Sequence, residues 1–479
     1  MDTNTETLHP DLLVIGFGKG GKTLAATMGR EGKHVIMIEQ SDHMYGGTCI
    51  NIGCVPTKAL IHRAEHRRDG HQPQKWYQNA VGSTQKLTTL MREKNFQMLD
   101  VIDTVTVITG RASFIDTKTV EVTAGEDRLT INADTIIINT GAEPFMPDIP
   151  GLHTSKYVYT STEMISTTEL PRRLAIIGGG YVGLEFAGMY SHFGSEVTVL
   201  EAAPRIMPNE DDDIVTATVD ILHDQGVTLT TGAQVTEVRD GEEAAVLSYE
   251  KDGQTHTVEA DAVLMALGRV PATRGLGLDK AGVVTTARGA IKVDEYLRTS
   301  QRHIFAIGDV NGGPQFTYIS FDDHRIVADQ LTGSGLLSTA DRTAGDISTV
   351  PYTVFMTPAL SRVGLTERQA RESGRQVKIA TKPIAQIAAM PRAKIVGQTR
   401  GLMKFVVDAD TDQILGAALL SVDSQELINL IEFAIKHGVT ATDICGPAGS
   451  VRLALQRSQR TTTAGGHVFR CALFDANSS

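Results

Sequence analysis

Cysteine is scarce in this chain, with four among 479 residues. So few cannot build the dense disulfide framework of a small secreted domain, so any pair that matters must be explained by chemistry. An excess of basic residues is also missing: 45 Lys and Arg stand against 56 Asp and Glu, a net charge of -11. That balance offers no global attraction to nucleic acid or to an anionic membrane, and neither is expected as a partner. No apolar run approaches the roughly 18 residues that suggest a membrane span. Met1 to Pro10 is polar and has neither the basic segment nor the apolar run of a secretory signal. The expectation is a cytoplasmic protein. At about 100–200 residues per domain, the length predicts two to four domains with ample cores.

Two of the four cysteines lie in Gly46-Gly47-Thr48-Cys49-Ile50-Asn51-Ile52-Gly53-Cys54-Val55-Pro56-Thr57-Lys58. Residues five apart on a straight α-helix are separated by roughly 8 Å, beyond the about 7 Å across which Cα atoms can be bridged. Bonding of Cys49 to Cys54 therefore requires an irregular backbone. Gly53 permits one sterically, and Pro56 does so by removing an amide donor. Spacing alone leaves two readings open: a strained, reducible disulfide used as a redox tool, or two buried unpaired thiols.

Upstream, the apolar run Leu12 to Ile15 leads into Gly16-Phe17-Gly18-Lys19-Gly20-Gly21, and Lys22 to Gly29 continues at helical spacing. Glycines 16, 18 and 21 suit a tight turn, close approach of backbone to a pyrophosphate, and close helix–strand packing. A second strand, His34 to Ile38, ends in Glu39, placed to accept from both hydroxyls of a ribose. The pattern returns downstream. Leu174 to Ile177 runs into Gly178-Gly179-Gly180-Tyr181-Val182-Gly183, then a helix Leu184 to His192, then Val197 to Leu200 ending in Glu201. Two such units form an internal repeat and predict two dinucleotides. A carboxylate at 201 suits a free ribose 2′-hydroxyl and repels an added phosphate, so NADH is expected over NADPH, with Arg205 nearby as a counterweight that leaves NADPH possible.

Between the units, Ala59 to Arg68 reads as a helix. His62 and His66 lie one turn apart on it, a spacing that can hold a metal. Arg63, Arg67 and Arg68 would repel a cation, and no metal site is expected. Val101 to Ile108, Thr119 to Val122 and Leu129 to Asn132 read as a β-meander attached to the first unit. Ile136 to Gly141 reads as a buried strand returning to a parallel sheet, followed by a Pro-rich exit at Pro144, Pro147 and Pro150 that marks a boundary. Asp261 to Leu267 reads as a buried strand leading into Gly268-Arg269, and Ile304 to Ile307 as another, ending in Gly308-Asp309. From Val350, antiparallel strands (Val354-Phe355, Ser361 to Gly364, Gly401 to Val407, Ile414 to Leu420) alternate with helices Thr366 to Ser373 and Ser424 to His437. That unit has no catalytic motif of its own, which fits dimerisation.

Two dinucleotide fingerprints, GGTCINIGCVPTK between them, the Thr140-Gly141 and Gly268-Arg269 strand ends, and Ala306-Ile307-Gly308-Asp309 together resemble the class I flavin disulfide reductases. That family includes dihydrolipoamide dehydrogenase, glutathione reductase and mercuric reductase. The wording of GFGKGGKTLA, MYGGTCINIGC, QFTYISFDDHRIV and VFMTPALSRVGLTE is similar to its bacterial reactive-chlorine-resistance group, associated with reducing hypothiocyanous acid and copper(II). The resemblance implies an α/β fold. Residues 1–152 and 274–349 would form a discontinuous FAD-binding domain, 153–273 an NAD-binding domain, 350–440 an α+β dimerisation domain of a homodimer, and 441–479 an atypical tail.

The same resemblance implies the roles. Gly16, Gly18, Gly21, Glu39, Gly47, Thr48, Lys58, Ala112, Thr140, Gly141, Gly268 and Asp309 would contact FAD, with Asp309 on its ribityl chain. Gly178, Gly180, Gly183 and Glu201 would hold NADH. Tyr181 would shield the flavin and swing aside for nicotinamide, and Lys58 with Glu185 would form an ion pair beside the flavin N5. Hydride would pass from NADH to FAD and on to a Cys49–Cys54 disulfide. Cys54 would be the flavin-facing thiol. Cys49 would be the outward thiol that attacks a small oxidant as a thiolate, its pKa lowered by a helix N-terminus.

One departure stands out. The family ends in a His-Pro pair followed by Glu, which acts from the partner subunit as acid–base for the outward thiol. The corresponding stretch here is Asp443-Ile444-Cys445-Gly446-Pro447-Ala448-Gly449-Ser450-Val451-Arg452, and His467 has no Pro after it. The tail is rich in Thr, Ser, Gly and Arg, a composition that suits disorder and that a frame disruption in the coding sequence would also produce. Cys445 and Cys471 are read as incidental. Two other functions share the core: a dihydrolipoamide dehydrogenase or mercuric reductase-like enzyme, and a non-catalytic FAD-bound redox sensor disabled by its tail.

Overall fold

The computed structural model describes residues 7–445, so the expectations for the tail from Gly446 on, including His467 and Cys471, lie outside the described residues. Five parallel strands form the first sheet, in the order Ile304–Ala306, Thr135–Ile138, Leu12–Ile15, Val35–Glu39 and Val105–Thr109. The central ones are continuous β-branched and aliphatic runs, as strands covered on both faces require, and Leu13, Val14, Ile136, Ile137 and Ile138 have no exposed surface. The second sheet is also parallel, in the order Val158–Thr160, Ala262–Met265, Arg173–Ile177, Glu196–Glu201 and Val227–Thr231.

Val101 to Ile108 departs from its expected place in the meander. Residues up to Asp100 complete a 28-residue helix, Pro73–Asp100, and Val105–Thr109 joins the parallel sheet, with Val35 opposite Val105. The chain leaves that sheet at Gly110, whose amide donates to the Glu39 carbonyl at 2.8 Å. The meander strand is Arg111–Phe114, paired with Thr119–Ala124 and Asp127–Asn132. The long helix escaped notice because its buried positions, among them Tyr77, Ala80, Val81, Thr84 and Thr88, form a narrow stripe in a mostly polar sequence.

A third sheet is antiparallel, in the order Tyr352–Val354, Leu360–Gly364, Ile414–Leu420, Leu402–Asp408 and Val377–Pro383. Helix Ser424–Lys436 packs on it through Ile428, Ile431, Ala434 and Ile435 and leaves Leu430 and Phe433 exposed. No described helix is long and apolar enough to cross a membrane.

Buried aromatics hold the long helix to the second unit. The hydroxyls of Tyr77 and Tyr190 lie 2.8 Å apart, and Tyr190 donates to the Met164 carbonyl at 3.1 Å. Phe193 packs edge-on to Tyr77 at 5.0 Å. Burial of each such ring is worth about 1.5–3 kcal/mol, and the shared hydroxyl bond removes the penalty of enclosing two phenols.

Candidate active site

Both glycine turns are built alike. Gly16 takes φ +102, and a Cβ there would lie 2.4 Å from the Asn139 carbonyl; Gly178 takes φ +112, and a Cβ there would lie 2.5 Å from the Ala266 carbonyl. Each turn thus passes directly over the end of a neighbouring strand, at a separation that only glycine allows. Helices Lys19–Arg30 and Tyr181–Phe193 start from these turns, so the positive end of each helix lies at its turn. Glu39 accepts from the Phe17 amide at 3.0 Å, and Glu201 accepts from the Gly179 and Ala203 amides at 2.6 and 2.7 Å. Burial pushes the Glu39 carboxyl up, and its backbone donors pull it back.

Between the turns the cysteine segment is broken as bridging requires. Cys49 lies in a short helix, Gly47–Asn51, and Cys54 is the first residue of the helix Cys54–Glu65, with Ile52 and Gly53 non-helical between them. Gly47 takes φ +76, and a Cβ there would lie 2.7 Å from Gly18 Cα, so the segment packs backbone against backbone on the first turn.

Cys49 and Cys54 stand as free thiols, each shifting the other's proton affinity. Cys54 is pulled down to about 6, first by the Cys49 thiol and then by the Lys58 ammonium and Thr317 hydroxyl, against the cost of burial. Thr317 Oγ1 lies 3.8 Å from its sulfur. Cys49 is pushed up by the Cys54 thiol, by burial and by the charge on Cys54. Cys54 opens its helix and Cys49 lies in the first turn of Gly47–Asn51, so a helix N-terminus stands beside each thiol.

Lys58 Nζ lies 2.9 and 2.7 Å from the two oxygens of Glu185, which also accepts from the Phe355 amide at 2.9 Å. All of this opens onto one cavity of about 1260 Å³. Of the residues singled out by sequence, Gly16, Gly18, Glu39, Gly47, Thr48, Cys49, Cys54, Lys58, Ala112, Thr140, Gly141, Gly178, Gly180, Tyr181, Glu185, Glu201, Gly268 and Asp309 line it. Gly21 and Gly183 do not. They are packing positions: a Cβ would lie 2.9 Å from the Gly16 carbonyl in one case and 2.0 Å from the Gly178 carbonyl in the other.

Sequence reasoning missed Asn139, Thr317 and the part played by Arg269. Asn139 accepts from the Gly21 amide at 2.9 Å and donates to the Ile307 carbonyl at 2.8 Å, locking the first turn to two strands. A buried amide side chain ending an all-apolar strand was its signal. Thr317 had none, because it meets Cys54 only through the fold. His62, Glu65 and His66 bring ligand atoms within 4.8 Å of one another, but Glu65 is bonded to the Thr357 hydroxyl and His66 to the His62 carbonyl.

The cavity fits a large cofactor that carries polar groups. Thr140 Oγ1 and Arg269 Nε are buried there without a protein partner, and a Cβ at Gly180 or Gly268 would meet nothing within 4 Å. Asp309 and Arg269 face each other electrostatically, each resisting the effect of burial on the other.

Two dinucleotide turns around a dithiol, with a half-buried lysine beside it, define the class of flavin-dependent disulfide reductases. The chain belongs to the pyridine nucleotide-disulphide oxidoreductases: residues 10–323 match that family, and residues 350–448 match its dimerisation domain. It is 46% identical over 431 residues to the probable pyridine nucleotide-disulfide oxidoreductase RclA of Escherichia coli K12, covering 89% of this chain and 92% of that one. Identity to a Staphylococcus aureus mercuric reductase is 36%, over 91% of this chain and 78% of that one. A solved Cu(II) complex of the HOCl-induced flavoprotein disulfide reductase RclA from Escherichia coli superposes with a TM-score of 0.87 at 43% identity, over 94% of this chain and 98% of that one. The protein is an NAD(P)H-dependent flavin disulfide reductase, of a family that uses FAD.

Proposed function

We propose that the protein takes electrons from NADH and delivers them through the Cys49–Cys54 pair to a small electrophilic oxidant, hypothiocyanous acid or copper(II). The observation that carries this reading is the placement of the two thiols: Cys49 and Cys54 line the same cavity as the Lys58–Glu185 pair, and Lys58 and the Thr317 hydroxyl favour the thiolate at Cys54. A bound FAD supplies the two-electron relay between pyridine nucleotide and disulfide. Glu39, Thr140, Arg269 and Asp309 would hold it, and the Gly178 turn with Glu201 would hold the nucleotide. Arg205, the counterweight to NADH preference, is bonded to the Glu210 carbonyl and to Asp212, while Glu201 remains at the strand end. That arrangement supports NADH over NADPH.

On the oxidant side, the Cys49 sulfur bonds to the sulfur of hypothiocyanous acid and expels hydroxide, which takes the Cys49 proton to become water. The Cys54 thiolate then attacks the Cys49 sulfur and releases thiocyanate, so one thiol, one thiolate and one oxidant give a disulfide, thiocyanate and water. With copper, two Cu(II) ions become Cu(I) per disulfide formed. Because the leaving hydroxide takes the proton, hypothiocyanous acid depends less on the absent His-Glu pair than a neutral disulfide does. The copper complex of the RclA relative supports the metal as a second acceptor.

We further assign residues 1–152 with 274–349 to FAD, 153–273 to NADH and 350–440 to a homodimer contact that would cover Leu430 and Phe433, in a cytoplasmic enzyme. Anaerobic titration of the holoenzyme with NADH tests the central reading. It should develop the long-wavelength absorbance of a thiolate beside an oxidised flavin and lose it rapidly on mixing with hypothiocyanous acid. An absorbance that forms and persists after mixing would rule out that oxidant.

A further inference from the structure

Tyr181 is the first residue of its helix and lines the cavity, and its hydroxyl is not free. It lies 3.2 Å from Oε1 of Glu210 and 3.0 Å from the hydroxyl of Tyr352, which itself donates to the same Glu210 oxygen. The second oxygen of Glu210 accepts from Arg362 at 3.0 Å. Glu210 has no exposed surface, and Arg362 is 4% exposed. The loop carrying Glu210 turns through Met207 at φ +44, with the Met207 side chain enclosed. Arg362 and Tyr352 sit directly opposite each other on paired strands of the antiparallel sheet. A carboxylate buried this deeply is fixed by its arginine and two phenols, and cannot follow a moving partner.

We propose that Glu210, fixed by Arg362 and Tyr352, is a latch that holds Tyr181 closed over the nicotinamide position and so sets how readily the nucleotide enters. The inference rests on reading Tyr181 as the ring that swings aside. Glu210 is a positioning residue, acting only through Tyr181. Opening breaks the Tyr181 hydroxyl's bonds and leaves the Arg362–Glu210–Tyr352 group in place, so the closed state is favoured and the apparent nucleotide affinity falls by the open fraction. Burial and the charge of Glu210 push the Tyr181 phenol up to about 12, so it stays a donor across the working range.

Tyr181→Phe keeps the ring and removes the latch. In the holoenzyme its KM and dissociation constant for NADH should fall by about three- to tenfold, the effect of one hydrogen bond of ordinary strength. The change should fall on KM and the dissociation constant more than on the limiting rate of flavin reduction at saturating NADH. Tyr352→Phe should move the same constants part of the way, and equal melting temperatures would exclude a merely structural effect. Tyr181→Ala, measured alongside, should alter both NADH binding and the rate at which oxygen consumes the reduced enzyme. An unchanged NADH affinity in Tyr181→Phe with altered kinetics in Tyr181→Ala would overturn the latch and leave the gate standing. Unchanged kinetics in Tyr181→Ala would overturn both.

Discussion

Lys58 and Glu185 join the two halves of the site: the lysine sits one turn into the helix that starts at Cys54, and the glutamate one turn into the helix that starts at Tyr181. Their atoms meet at 2.7 Å, and a backbone amide from Phe355 holds the glutamate from a third direction. The positive charge beside the thiolate is therefore fixed by both nucleotide units and by the chain entering the antiparallel sheet.

Replacing Lys58 with Met removes that charge and leaves Glu185 with one backbone donor. The Cys54 thiol should titrate nearer its ordinary range, and the thiolate absorbance of the reduced enzyme should be largely lost at pH 7. Stability should fall by about 1–3 kcal/mol, because a mostly buried carboxylate loses its partner while Lys58 itself is partly exposed. Denaturant unfolding and a spectral titration check the two effects separately.

The Cys54 pKa also fixes a pH dependence. Its ordinary value is 9.0 and its value here is about 6, so the folded reduced protein releases this proton first. The stabilisation is absent below about 6, grows as pH rises from 6 to 9, and is lost again as pH falls back through 6. The thiolate absorbance should follow the same course with a midpoint near 6. A midpoint near 9 would contradict the lowered Cys54 pKa.

Cys49→Ser should leave NADH-dependent flavin reduction intact and lower turnover with hypothiocyanous acid by about 10³-fold or more, since no second sulfur remains to close the disulfide. Stopped-flow absorbance separates the two half-reactions. Turnover equal to the parent's would mean that Cys49 is not the outward thiol.

Gly183→Ala would place a methyl carbon 2.0 Å from the Gly178 carbonyl, a clash between backbone and backbone that no rotamer relieves. The second turn should distort at a cost of about 2–4 kcal/mol. NADH binding should weaken far more than flavin content, as titration calorimetry and the absorbance ratio of the purified protein would report.

The parallel sheets and both glycine turns were legible because each announces itself locally: aliphatic runs, then glycines, then a carboxylate one strand later. The two packing glycines, Gly21 and Gly183, are equally visible in sequence, but their separation from the cavity is not, since a fingerprint does not distinguish a glycine that approaches a ligand from one that approaches its own chain. The break at Ile52-Gly53 that separates Cys49 from Cys54 is one that the spacing permits without locating. Thr317, Glu210 and Arg362 were invisible for a different reason. Thr317 meets Cys54, and Glu210 meets Arg362, across more than a hundred residues of chain, and nothing local marks them.

The first nucleotide sheet has a consequence for how the molecule is made. Its edge strand, Ile304–Ala306, and the Ser320 hydroxyl that receives the Gly20 amide at 3.1 Å arrive some three hundred residues after the glycine turn they complete. The second sheet spans only Val158 to Met265. On a ribosome working from the N-terminus, the later-coded nucleotide unit can close first, while the earlier-coded one waits with its edge strand still to come. On the proposed assignment of this unit to FAD, capture of the flavin is a late event in biosynthesis, and nascent chains stalled before residue 304 should emerge without it.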